Sequence, residues 1–255
     1  NYFKIRDLLD RHSICHTLIR DKDRPTTTKA RLYLDGNYLL RRDTEHTDPL
    51  DELTSAALME NVLRKLPKTD VVILSDYAKG VFTTENTSQI IQECRLRGIP
   101  VVVDFKPVNQ EFFIGADIIA PNAAEAAEII GKVSLNNLKS DCQSIHSLLG
   151  CVNTVITLGE EGLCGIDADG FFHVPGHHVE PVDKVGCGDT VRAGLAIGTA
   201  LGLSLKDAAI LANDAATVIV QKSGTSVLSR QELQDFVSQK MKLEPSTTML
   251  SDDVV

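Results

Sequence analysis

The sequence predicts an α/β fold, a parallel sheet held between helices in a three-layer core, with a small β element standing apart near its start. Three observations carry this. Short apolar runs rich in β-branched residues, at 70–76, 99–106, 116–122 and 152–159, alternate with helical patterns. Such runs suit strands buried on both faces, and parallel strands need helical crossovers. The last third reads as helix (188–202, 205–221 and 230–240), while residues 13–42 read as β structure alone.

Each element follows from its residues. "NYFKIRDLLDRH" is an amphipathic helix without the charged-then-apolar order of a signal peptide. "SICHTLI", "TTTKARLYL" and "YLLRRD" alternate in part, with Asp35-Gly36 as a hairpin turn. A helix over 50–66 leads to "DVVILSD", and one from Thr83 to Arg97 leads to "IPVVVDFK". "ADIIAPN" precedes the helix "AAEAAEIIG", and a helical pattern over 136–149 leads to "VNTVITLG". "GLCGID", a "DADG" turn and "FFHVPG" add short β structure before the final helices. "EPSTTMLSDDVV" lacks apolar periodicity and reads as a mobile tail or linker stub. The expected division is a helix and β lid over 1–45, an α/β core over 46–240 and a tail over 241–255.

Composition narrows the function classes. The 255 residues carry a formal charge of −9, which argues against general nucleic-acid or membrane-surface affinity but leaves room for a local anion pocket. No apolar run is long enough to span a bilayer. Six scattered cysteines without a CxxC pair read as reduced thiols in a cytoplasmic protein. His177-His178-x-Glu180 lacks metalloprotease spacing, and no Gly-x-Ser-x-Gly elbow occurs.

The chemistry concentrates in "DKVGCGDTVRAGLAIG", residues 183–198. Gly186 and Gly188 permit backbone that lets consecutive N–H groups point one way, and the following helix adds partial positive charge. Together they make an anion hole without a cationic side chain. Asp189 then either caps the helix or stands as a base beside the anion, the pairing that phosphoryl transfer to an alcohol needs. A third glycine, as in a dinucleotide fingerprint, and the Gly-Lys-Ser/Thr of a Walker loop are both absent.

Other stretches shift the balance. "APNAAEAAEIIG" sets Asn122 and Glu125 three apart at a helix start, a capping pattern when taken alone. "VITLGEEGLCG" ends a buried strand with Thr157, Gly159 and Gly162, and "LANDAATVIVQKSGTS" puts Asn213 in a helix of small residues. In this order and spacing the chain resembles the ribokinase-like (PfkB) carbohydrate kinases from about residue 70 to 238. "RPTTTKARLYLDGNYLLRRD", "ILSDYAKGVFT", "VVVDFKP" and "KSGTSVLS" resemble in particular the members that phosphorylate D-glycero-β-D-manno-heptose 7-phosphate at its anomeric carbon, for lipopolysaccharide synthesis. In many relatives that kinase is the first half of a bifunctional chain with a nucleotidyltransferase behind it.

The resemblance implies ATP as donor, Mg²⁺ as its partner and K⁺ as a monovalent cation. It makes Asp189 the base and the Gly186–Cys187–Gly188 amides the anion hole. Asn122 and Glu125 would organise magnesium, Glu125 through water, and Thr157, Gly159, Gly162 and Asn213 would line the nucleotide groove. Asp183 matches the position that helps to hold the monovalent cation. Asp76, Lys79 and Lys106 lie at strand ends within reach of a sugar phosphate, or are solvated loop charges. Lys29 and Arg31 would reach it from the lid, through which two chains are expected to pair as a homodimer.

Val185 and Cys187 depart from the usual Asp-x-Thr-Gly-Ala-Gly-Asp, and Asp104-Phe105-Lys106 replaces Asp-Pro-Lys. Relatives also carry a first sugar-contacting Asp and a Gly-Gly loop earlier than any residue here, so the N-terminal part of the fold is expected to be missing. Two competing readings are another PfkB-type kinase of fructose, a phosphofructose or a nucleoside, and a non-catalytic nucleotide-binding remnant that dimerises through its lid.

Overall fold

The computed structural model describes residues 2–35 and 37–243, the last of these as backbone only. Gly36 of the expected hairpin turn and residues 244–255 of the expected tail lie outside the described residues. Helix α1 (Tyr2–Arg11) buries none of its residues. Strands β1 (Thr28–Leu34) and β2 (Asn37–Thr44) form a separate antiparallel pair, with Asp35 at φ 49° leading into the turn. "SICHTLI" was expected as β structure, yet residues 14–27 contain no strand. The alternating pattern there meets no partner strand, and without a ladder an extended segment is not a strand.

The core begins with α2 (Glu52–Lys65), capped by the Asp51 side chain on the Thr54 N–H. Strand β3 (Val72–Ser75), α3 (Thr84–Leu96) and β4 (Val101–Asp104) follow, α3 opening on a Thr83–Asn86 capping box. Then come β5 (Ile118–Ile119), α4 (Ala123–Ile130), α5 (Leu138–Leu149) and β6 (Asn153–Thr157). Strands β7 (Leu163–Asp167) and β8 (Gly170–Val174) complete a sheet ordered β3-β4-β5-β6-β7-β8. Its first four strands are parallel and the last two join antiparallel. The chain continues through α6 (Cys187–Ala200), α7 (Leu205–Val220) and α8 (Arg230–Leu243).

Strand periodicity divides the core into two layers of contact. Val101 and Val103 face a cluster with Ile90, Cys94 and Ile145 from α3 and α5, whereas Val102 faces Val191 and Leu195 of α6 and Ala208 and Ala212 of α7. The result is the expected three-layer α/β core. Its parallel strands all run toward one edge, where ligands of open α/β sheets bind.

Candidate active site

Four of the five residues expected to meet the sugar converge at that edge. Lys29 of the lid, Asp76 after β3, Lys79 and Lys106 after β4 line one cleft of about 580 Å³. Asp76 is buried and held on both oxygens: Oδ1 accepts the Ala78 N–H at 2.8 Å and Oδ2 accepts Asn109 Nδ2 at 2.7 Å. Lys79 pairs with Glu45 at 2.8 Å, and Lys29 lies 3.7 Å from Asp43 across the lid. Arg31 stands opposite Arg41 in the lid and does not line the cleft.

Beside the cleft lies a buried group of charges. Asn122 caps α4, its Oδ1 accepting the N–H groups of Ala124 and Glu125, while Glu125 Oε2 accepts the Asn122 N–H at 3.1 Å. Glu125 Oε1 accepts Lys106 Nζ at 2.7 Å, a bond that raises the Lys106 pKa against the opposing effect of burial. Arg192 of α6 reaches into the same group. Its Nη2 is 2.7 Å from Asp104 Oδ1 and 3.7 Å from Glu125 Oε2. Burial pushes the Asp104 carboxyl up to about 6 despite Arg192, and Glu125 and Asp189 push it the same way.

Sequence reasoning passed over Asp104 and Arg192. A carboxylate closing the buried run "VVVD" was the available signal for the first, and an arginine three residues beyond Asp189, on the same helix face, for the second.

The glycine loop enters α6 through Gly186, whose φ of 84° suits glycine and whose missing side chain would point into open space. No side chain caps the helix, so Asp189 is not acting as its N-cap; it lies exposed on the first turn. Burial and Asp183 raise the Cys187 thiol, which stays protonated at neutral pH. Asp183 ties the loop to the end of α7, with Oδ1 accepting the Val185 N–H at 3.0 Å and Oδ2 the Gly224 N–H at 3.1 Å.

Thr157 ends β6 and bridges to Asn122 in parallel, its N–H donating to Pro121. Gly159 borders open space. At Gly162 a Cβ would fall 2.1 Å from the Val174 carbonyl oxygen, so glycine there serves a close backbone approach. Asn213 is buried in α7 and donates to the Pro175 carbonyl at 3.0 Å, joining α7 to the segment after β8.

Among the described residues no group of three or more His, Cys, Asp and Glu side chains can hold a metal ion. Both Glu125 oxygens accept N–H donors, Oε1 from Lys106 and Oε2 from the Asn122 backbone. No described helix is long and apolar enough to cross a membrane.

A glycine loop opening a helix and a lysine-lined cleft, both at the carboxyl edge of a parallel sheet, define an α/β protein with a small-molecule site where open sheets of this class bind ligands. The chain belongs to the pfkB family of carbohydrate kinases, whose model matches residues 4–232. It is 34% identical over 252 residues to Bifunctional protein HldE of Bradyrhizobium diazoefficiens, covering 94% of this chain and 51% of that protein. With the HldE of Aeromonas salmonicida it shares 37% over 217 residues, covering 84% and 45%. The chain thus spans about half the length of the curated relatives it matches. Among solved structures, the tetrameric inhibited form of phosphofructokinase-2 from Escherichia coli superposes with TM-score 0.76 at 17% identity, covering 92% of this chain and 77% of that one. Ribokinase from Thermotoga maritima gives 0.69 at 18%, covering 93% and 78%. These two likenesses establish the ribokinase-like fold.

Proposed function

We propose that the protein is an ATP-dependent kinase that phosphorylates the anomeric hydroxyl of D-glycero-β-D-manno-heptose 7-phosphate to the 1,7-bisphosphate, in the cytoplasm. The observation that carries this reading is the cleft lined by Lys29, Lys79 and Lys106 together with the buried Asp76. A sugar phosphate asks for that mixture, cations for its phosphate and a fixed carboxylate for its hydroxyls. At about 580 Å³ the cleft also has the size of a small-molecule site. The motifs around Lys29, Asp76, Lys106 and Ser223, which resemble those of heptose 7-phosphate kinases, support a heptose over fructose 6-phosphate or a nucleoside.

In this reading Asp189 accepts the proton as the anomeric oxygen attacks the γ-phosphorus. The new O–P bond forms as the bond from that phosphorus to the β–γ bridging oxygen breaks, and ADP leaves with the electron pair. The Gly186–Cys187–Gly188 amides and the start of α6 stabilise charge on the transferring group. Glu125, held in the α4 capping box, would hold Mg²⁺ through water, and the ion would supply charge neutralisation on the phosphates. Asn122, Thr157, Gly159, Gly162 and Asn213 form the nucleotide side, and Asp183 would support K⁺ behind the loop. The exposed β1–β2 lid serves as the contact of a homodimer.

An ADP-release assay against heptose 7-phosphate, fructose 6-phosphate, fructose and adenosine tests this. In a version extended at the N-terminus heptose 7-phosphate is expected to turn over, and Asp189→Asn to lower the rate by about 10²–10⁴-fold with ATP affinity kept within a few-fold. Turnover retained in that variant removes Asp189 as the base, and preference for another acceptor reassigns the substrate.

A further inference from the structure

Gly188 packs against the guanidinium of a side chain on its own helix. It is not among the residues at positive φ, whereas Gly186 is. What its missing side chain admits is the Arg192 guanidinium: a Cβ on Gly188 would lie 2.7 Å from Arg192 Nη1. The two positions are one helical turn apart, so the arginine folds back beneath the anion loop. Its side chain is only 12% exposed. Nη2 reaches Asp104 at 2.7 Å, Glu125 at 3.7 Å and the Ala120 carbonyl at 3.4 Å, linking the ends of β4 and β5 and the start of α4 to α6. Its Nε is buried and finds no partner. A buried donor left unpaired is costly and needs an explanation beyond packing.

We propose that Arg192 is a positioning residue for phosphoryl transfer, locking the glycine loop to Glu125 and Asp104 and placing a fixed positive charge behind the anion hole. The inference rests on the kinase reading above and adds to it a residue that touches neither nucleotide nor sugar. Nη2 alone meets both carboxylates and the carbonyl while Nη1 fills the space under Gly188, so the planar guanidinium holds the carboxylates and supports the loop at once, which a compact ammonium cannot reproduce. Charge behind the loop acts most on the transition state, where negative charge on the transferring group is most exposed. Arg192 therefore acts on the rate and on binding of a transition-state mimic more than on ground-state binding.

The test compares Arg192→Met, Arg192→Lys and Asp104→Asn with the unsubstituted chain. Calorimetry reads affinity for MgADP alone and for MgADP with aluminium fluoride and the sugar phosphate, and steady-state kinetics separate kcat from KM. In Arg192→Met, kcat and affinity for the fluoroaluminate complex should each fall at least tenfold, while MgADP affinity and sugar KM stay within about threefold. Arg192→Lys should recover part of the loss, and Asp104→Asn should reproduce part of it by weakening the Nη2 contact. Should Arg192→Met fail to fold, Arg192→Lys and Asp104→Asn decide, and wild-type fluoroaluminate affinity in both overturns the proposal. A folded Arg192→Met with unchanged kcat and analogue affinity, and only a lower melting temperature, overturns it as well. An unsubstituted chain that neither turns over nor binds the fluoroaluminate complex overturns the kinase reading itself, and Arg192's role with it.

Discussion

Asp104 is the residue whose environment pulls hardest in two directions. Arg192 favours its charged form from 2.7 Å, yet burial outweighs that attraction and the carboxyl titrates at about 6. In the unfolded chain the same group titrates near ~3.9. Between those values the native state binds more protons than the unfolded one, so this group's contribution is fully present below about pH 4 and is lost as pH rises through 6. The shift corresponds to an upper bound on the order of 3 kcal/mol. Denaturant unfolding of the native protein between pH 4 and 7.5 should show that decline, and Asp104→Asn should remove it. Parallel stability curves for the two proteins would mean that Asp104 is not desolvated as described. Neither Asp104 nor Arg192 was singled out from the sequence, because a strand-end carboxylate and a helix arginine far apart in the chain give no sign of meeting. Asn122 and Glu125 were legible because their spacing of three is itself the geometry of a capping box.

Between elements, α6 and α7 meet through the smallest side chains in the protein. At Gly194 a Cβ would sit 2.6 Å from the Ala212 Cα, and at Gly198 one would sit 2.5 Å from the Ala208 Cβ. Helix propensity favours alanine over glycine by about 1 kcal/mol, while overpacking a core costs typically 1–3 kcal/mol. The clash partners belong to a packed helix rather than a flexible side-chain end, so overpacking wins. Gly194→Ala and Gly198→Ala should each lower stability by roughly 1–2 kcal/mol, as a lower urea midpoint at unchanged slope. A variant as stable as the original would show that α6 can move away from α7 freely. The run of small residues around Asn213 signalled a close helix contact, but not which helix supplied it. Strands β4 to β6 were legible because burial on both faces leaves an unbroken apolar run; β3, at the sheet edge with Ile73 44% exposed, has the same apolar run without burial on both faces. "SICHTLI" misled for the complementary reason: its alternation is local, and whether an extended segment becomes a strand is decided by a partner elsewhere.

At the scale of the whole molecule, the proposed lid would link assembly to the proposed acceptor site. Side chains alternate along β1, so Lys29 and Arg31 share one face while Ala30 and Leu32 share the other. Lys29 lines the cleft beside Asp76, while every residue of β1 stays exposed. On the other face Leu32 and its cross-strand partner Leu40 are 46% and 50% exposed. A two-stranded sheet alone is marginal in water, and apolar pairs of this kind gain most when a second sheet covers them. The proposed homodimer would cover them and, by stiffening the lid, would hold Lys29 over the bound sugar phosphate. Sedimentation equilibrium at micromolar concentration should therefore find a dimer, and Leu32→Glu combined with Leu40→Glu should find a monomer. The monomeric variant should raise the KM for the sugar phosphate several-fold and leave ATP affinity unchanged, since Asn122, Glu125 and the glycine loop lie on other elements. A monomer with unsubstituted leucines would sink the dimer. A monomeric variant with an unchanged sugar KM would leave the lid as an assembly contact with no hold on Lys29.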